Sequence, residues 1–88
     1  MGEPPVNLHL DKRAAMLAAN APSDELMDTK ATAKWLQVST VWLIAARAGE
    51  YGPPFERLFG DRIAYRPKKV VPWLRQRAKE YERREAEK

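Results

Sequence analysis

Between Asp28 and Gly49 the chain reads DTKATAKWLQVSTVWLIAARAG, and its apolar positions form two short stretches of helical spacing with a break between them. Asp28 or Thr29 serves as N-cap for a first helix through Leu36, Gln37-Val38 interrupts it, and Ser39 caps a second helix that ends at Gly49. Thr32, Leu36, Val38, Leu43 and Ala46 are spaced to share one core, with Ala33 small where the two helices approach. This is a helix-turn-helix pattern, in which the second helix is the one presented to a DNA major groove. Two local features work against it: no Glu completes a capping box, since Ala31 or Thr32 stands at that position, and Gln37 occupies a turn site that favours glycine.

The pattern changes after Gly49. Gly52-Pro53-Pro54 is a loop, and Phe55–Leu58 and Arg62–Tyr65 are short strands joined around Gly60-Asp61, a tight-turn dipeptide. A hairpin after a helix-turn-helix is a wing. Alternation places Ile63 and Tyr65 inward and Arg62 and Arg66 outward. A last helix is expected to begin between Lys68 and Val71, because Pro72 would break the interior of one already under way; Val70, Trp73, Leu74, the stem of Arg77 and Tyr81 form its inner side. Beyond Ala78 the chain is nearly all charge, a solvated helix or a frayed end with Glu80 and Arg84 spaced for an ion pair.

On the N-terminal side, Met1–Asn7 contains Pro4 and Pro5 without periodicity and reads as a mobile tail. Asp11 would cap an alanine-rich helix through about Ala19, ended by Asn20 and Pro22, with a weak stripe of Ala14, Met16, Leu17 and Ala18. This arm could be a loose extension, a dimerisation element or a helix laid on the core. The expected organisation is therefore mostly α with a small β-hairpin: an N-terminal arm over 1–22, a winged helix-turn-helix over 23–77 and a charged helical extension over 78–88.

Composition narrows the chemistry. The 88 residues contain no cysteine and one histidine, which removes disulfides, thiolate zinc sites and most triads. His9 reads as a surface side chain, and Ser23 and Ser39 as turn or cap residues, so neither catalysis nor a metal or other cofactor is expected. No long apolar run or signal-peptide pattern occurs, which leads to the expectation of a soluble, cytoplasmic, nucleoid-associated protein without a membrane partner. The net charge is +4, and it is concentrated: 39–77 carries eight Lys/Arg against three Asp/Glu, whereas 1–38 carries four against five and 78–88 four of each. A basic field centred on the helix-turn-helix suits double-stranded DNA.

The ordered set Val38-Ser39, Trp42-Leu43, Arg47, Gly49, Gly52-Pro53-Pro54-Phe55, Arg57-Leu58, Gly60, Arg62, Tyr65-Arg66, Val70 and Trp73-Leu74 resembles the small prophage-type regulators of the AlpA and excisionase group. These are winged helices related to the DNA-binding part of MerR regulators, and the resemblance covers Leu26 to Arg77. It implies a bacterial or phage origin, a helix in the major groove and a wing on the backbone or minor groove. The chain departs from the group at Lys68 and Lys69, where an acidic residue is usual, and at Phe59, which suggests a wing tip one residue longer.

The DNA-facing residues expected on these grounds are Ser39, Thr40, Val41, Ile44, Arg47, Arg57, Arg62, Arg66 and Lys68. The recognition helix, with Ala45 also outward, is apolar and poor in bidentate donors, so its base contacts would be mainly with thymine methyls and its affinity mainly from phosphates. Trp42 is either core or a contact; Arg47 either holds a phosphate or braces the wing through Glu50 or Glu56. The leading role is a transcriptional regulator acting as a homodimer or cooperative homo-oligomer on DNA. An excisionase-type directionality factor, a phage DNA-packaging subunit and a winged-helix protein-interaction module are the alternatives.

Overall fold

A computed structural model describes residues 7–87. Four helices, α1 (Leu8–Ala19), α2 (Thr29–Leu36), α3 (Thr40–Gly49) and α4 (Pro67–Ala86), accompany a two-stranded antiparallel sheet of β1 (Glu56–Arg57) and β2 (Ile63–Ala64). The expectations for residues 1–6 and for Lys88 lie outside the described residues. Among the described residues no helix is long and apolar enough to cross a membrane.

The two short helices form where the capping residues place them. The Asp28 carboxylate accepts the Ala31 amide at 2.7 Å, and the Ser39 hydroxyl oxygen accepts the Trp42 amide at 2.9 Å. Thr32, fully buried, donates its hydroxyl to the Asp28 carbonyl at 2.8 Å, so its polar atom is satisfied within the helix. Both helices close on a left-handed residue that is not glycine: Gln37 at φ 59° and Glu50 at φ 60°. In each case the next amide reaches back to a helical carbonyl, Val38 to Ala33 and Tyr51 to Ala46, both at 3.0 Å. The second closure thus falls one residue after Gly49. Gly52 has a different function: a Cβ there would lie 2.6 Å from that of Ala46, so only glycine lets the chain turn back across α3.

The hairpin is shorter than expected. Glu56 pairs with Ala64 and Arg57 with Ile63, and Leu58 N–H to Arg62 C=O at 2.7 Å closes a three-residue tip of Phe59, Gly60 and Asp61 with Gly60 left-handed. Tyr65 continues the pairing, but with Met27, through two 2.8 Å backbone bonds. Strict alternation fails here. Tyr65 is buried and Ile63 half-buried as expected, yet Ala64 between them is buried too, next to the bridge that Tyr65 makes with Met27.

The other corrections concern the two long helices. α4 begins at Pro67, before the predicted Lys68–Val71 window, because proline at the first helical position lacks only an amide that would have no partner there. Pro72 then lies inside the helix; it and Lys68, whose carbonyl loses its partner, are both exposed, so water can satisfy that group. α1 starts at Leu8 under an Asn7 cap, whose side chain accepts the Leu10 amide at 3.1 Å. Asp11 is therefore no cap. It is buried, and its carboxylate takes Arg77 Nε at 2.5 Å, with Arg84 Nη1 at 3.8 Å. Arg84 is thus turned toward Asp11, while Glu80 accepts from Gln76.

Of the three readings of the arm, the helix laid on the core is the observed one. Leu10, Ala14, Leu17 and Ala18 join Ala33, Leu36, Leu43, Tyr65, Val70 and Leu74 in one apolar cluster, whereas Met16 points to solvent. Trp35 ties α2 to α1 by donating its indole N–H to the Leu17 carbonyl at 3.1 Å, a group near the helix end that lacks an intrahelical donor.

Two stability measurements test this account. Gln37→Gly should raise the unfolding free energy by about 1 kcal/mol, because the left-handed conformation costs a side chain that much; a chemical denaturation midpoint that falls would contradict it. Asp11→Ala should lower it by about 2–3 kcal/mol, below the cost of orphaning a fully buried charge because Arg77 keeps some solvent access. A loss under about 0.5 kcal/mol, the level of a surface change, would show that the pair does not hold α1.

Candidate nucleic-acid interface

The face that α3 turns away from the core is defined by what it buries. Leu43 and Ala46 are fully buried and Trp42 and Arg47 half-buried, leaving Thr40, Val41, Ile44, Ala45 and Ala48 on the exposed side. Val41 is 74% and Ile44 52% exposed, large values for branched aliphatic side chains. Ser39 stands at the start of this face, its oxygen engaged in the cap. Trp42 packs against the core and meets the Tyr51 ring edge-on at 5.9 Å. Its other border is an open groove with Gln37, Val38 and Ser39 on one wall and Asn7, His9 and Arg13 of the α1 end on the other.

Arg47 leaves the outer face. Its guanidinium donates to the Tyr65 hydroxyl at 2.9 Å and the Thr29 hydroxyl at 3.4 Å, and lies 5.7 Å from the Phe55 ring centroid. It braces the hairpin against α3, as one of its two readings held, but through Tyr65 rather than Glu50 or Glu56. Arg57 stands at the same Phe55 ring, 5.8 Å from its centroid, and is exposed. The hairpin and α3 therefore share an aromatic hinge with a cation of each directed at it.

The remaining basic residues divide into neutralised and unpaired groups. Arg66, expected outside, is half-buried and bonded to the Glu56 carboxylate, and Lys69 approaches the same oxygen at 3.6 Å. Arg77 is neutralised by Asp11 and covers Trp73 at 4.9 Å. Arg57, Arg62 and Lys68 are exposed and form no ion pair among the described residues. Beside Arg62, the tip residue Phe59 is 99% exposed. The expected DNA-facing set thus separates into an apolar face (Thr40, Val41, Ile44), three exposed cations, a capping Ser39, and two arginines, Arg47 and Arg66, held by intramolecular partners.

Two neighbours of the start of α3 were not anticipated from sequence, Arg13 and His9. They pair on the α1 surface, Arg13 Nη1 to His9 Nδ1 at 3.3 Å. Their spacing of four was visible in the sequence, but their place next to Trp42 follows from the docking of α1, which local pattern does not specify.

No family model, curated protein or solved structure matches this chain.

Glu56 supplies a pH test. The hydrogen bond from Arg66 holds its carboxyl below the usual glutamate value, the charges of Arg66 and Lys69 add to the effect, and partial desolvation opposes it. A lowered value in the folded state means that the contribution to stability is full above the ordinary glutamate range and is lost as pH falls through and below it. The stability difference between the native chain and Glu56→Gln, measured by urea denaturation at several pH values, should be present at neutral pH and vanish in acid. A difference independent of pH would show that the carboxylate charge is not what Arg66 and Lys69 stabilise.

Proposed function

We propose that this chain is a winged helix-turn-helix protein that binds double-stranded DNA sequence-specifically, as a bacterial or prophage transcriptional regulator of the AlpA and excisionase type. In this reading α2 and α3 are the helix-turn-helix, α3 enters the major groove, and the β1–β2 hairpin is the wing, lying on the adjacent backbone or minor groove. The observation that carries it is the pairing of an exposed, uncharged α3 face with a hairpin whose Arg57 and Arg62 form no ion pair among the described residues, the two held in fixed relation by Arg47 and Tyr65. An uncharged face can approach base edges closely, while cations at its border hold phosphates.

Arg57, Arg62 and Lys68 carry the phosphate contacts in this scheme. Arg66 and Arg47 position the wing instead, since their guanidiniums are engaged with Glu56 and Tyr65. Thr40, Val41 and Ile44 face the bases.

A second reading is favoured by one observation, the exposure of Val41 and Ile44: the same face could dock a protein. Fluorescence anisotropy of a labelled duplex from the gene's own upstream region, against a shuffled duplex at two salt concentrations, separates the two. A regulator binds the upstream duplex more tightly and weakens with salt; a protein-docking module binds neither at low salt. Arg62→Ala should weaken binding to every duplex and reduce the slope of log affinity against log salt by about one. An unchanged slope would remove Arg62 from the phosphate contacts.

A further inference from the structure

Building on the reading of α3 as the major-groove helix, we propose that this chain reads DNA through the C5-methyl groups of pyrimidines. Thymine and 5-methylcytosine are then equivalent to it at the contacted positions, and uracil and unmodified cytosine are both disfavoured.

The argument begins with what α3 exposes. Thr40, Val41, Ile44, Ala45 and Ala48 recur at helical spacing along one exposed face, and none carries a charge or an amide. Its hydroxyls are those of Thr40 and, at its start, Ser39, whose oxygen accepts the Trp42 amide. Arg47, the one side chain of α3 able to fork across a guanine edge, is turned inward onto Tyr65 and Thr29. Purine edges in the major groove offer acceptors and amino donors that require hydrogen-bonding partners, and this face has almost none to give. The apolar feature the groove does offer is the methyl at C5 of thymine. Cytosine methylated at C5 presents the same group at the same place.

Charge favours DNA over another apolar protein surface as the occupant. Arg57 is fixed beside α3 by the Phe55 ring it shares with Arg47, and Arg62 and Lys68 are exposed without an ion pair among the described residues. Glu56, the acid within the hairpin strands, is neutralised by Arg66 and Lys69. An apolar strip with the exposed Arg57 at its side matches methyl groups lying beside a phosphate backbone. That cation would be a desolvation cost against an apolar protein partner.

The test uses the full chain and four equal-length labelled duplexes: alternating dA-dT, dA-dU, dG-dC and dG with 5-methyl-dC. Within each pair the minor groove is chemically identical and the major-groove methyl is the change. Anisotropy should show the methylated member of both pairs bound tighter, by about fourfold for each methyl contacted. Val41→Ser and Ile44→Ser, at exposed positions, should reduce that preference without altering the salt slope, with circular dichroism confirming that both variants fold. Salt-sensitive binding that is equal within both pairs would overturn the methyl reading and leave DNA binding standing. A preference unchanged in both variants would overturn its assignment to α3. Failure to bind any of the four at low salt would overturn the DNA-binding reading itself.

Discussion

Tyr65 is the residue on which the arrangement depends. Its backbone pairs with Met27 just ahead of α2, its ring is buried and tilted against Phe55, and its hydroxyl receives Arg47 from α3. One residue thus joins the entry to α2, the side of α3 and the exit of the hairpin. The phenol allows this because it combines a large apolar surface with one polar tip, so burial of the ring and satisfaction of a partly buried guanidinium occur together. Remove the hydroxyl and Arg47 loses its 2.9 Å acceptor; remove the ring and Phe55 loses its neighbour.

The electrostatics follow the same division between holding and presenting. A chain with an excess of positive charge in its central segment could present all of it to solvent. Here Glu56 and Asp11 neutralise part of that excess within the fold, and Tyr65 immobilises Arg47. What is left outward is a smaller and more localised set of cations. Net charge is therefore a poor guide to the number of phosphates such a surface could neutralise, and the distribution of intramolecular acids is a better one.

Legibility from sequence tracked how local each cause was. The caps at Asp28 and Ser39, the left-handed Gln37 and the exposed side of α3 were readable, because each depends on residues within one or two turns. The hairpin was located correctly but its burial was not, since Ala64 is buried beside the bridge of Tyr65 to Met27, a residue distant in sequence. α1 was least readable. A start capped by Asp11 excludes Leu10 from the helix and with it one of the two leucines of the buried stripe. A carboxylate near a helix start is ordinarily a cap, and only the arrival of Arg77 makes it a buried partner. At the candidate site, the exposed side of α3 was legible and the partners of Arg47 and Arg66 were not, because a guanidinium's partner is chosen by tertiary geometry.

The Asp11–Arg77 pair has a consequence for the order in which the chain assembles. Its members are 66 positions apart, so seating α1 on α4 closes nearly the whole chain into a loop and bears a large entropic cost. The α2–α3 unit, by contrast, is built from neighbours and can gain order before that closure. α1 is then among the last elements to find its place, and the complete apolar cluster exists only once α1 has met α4.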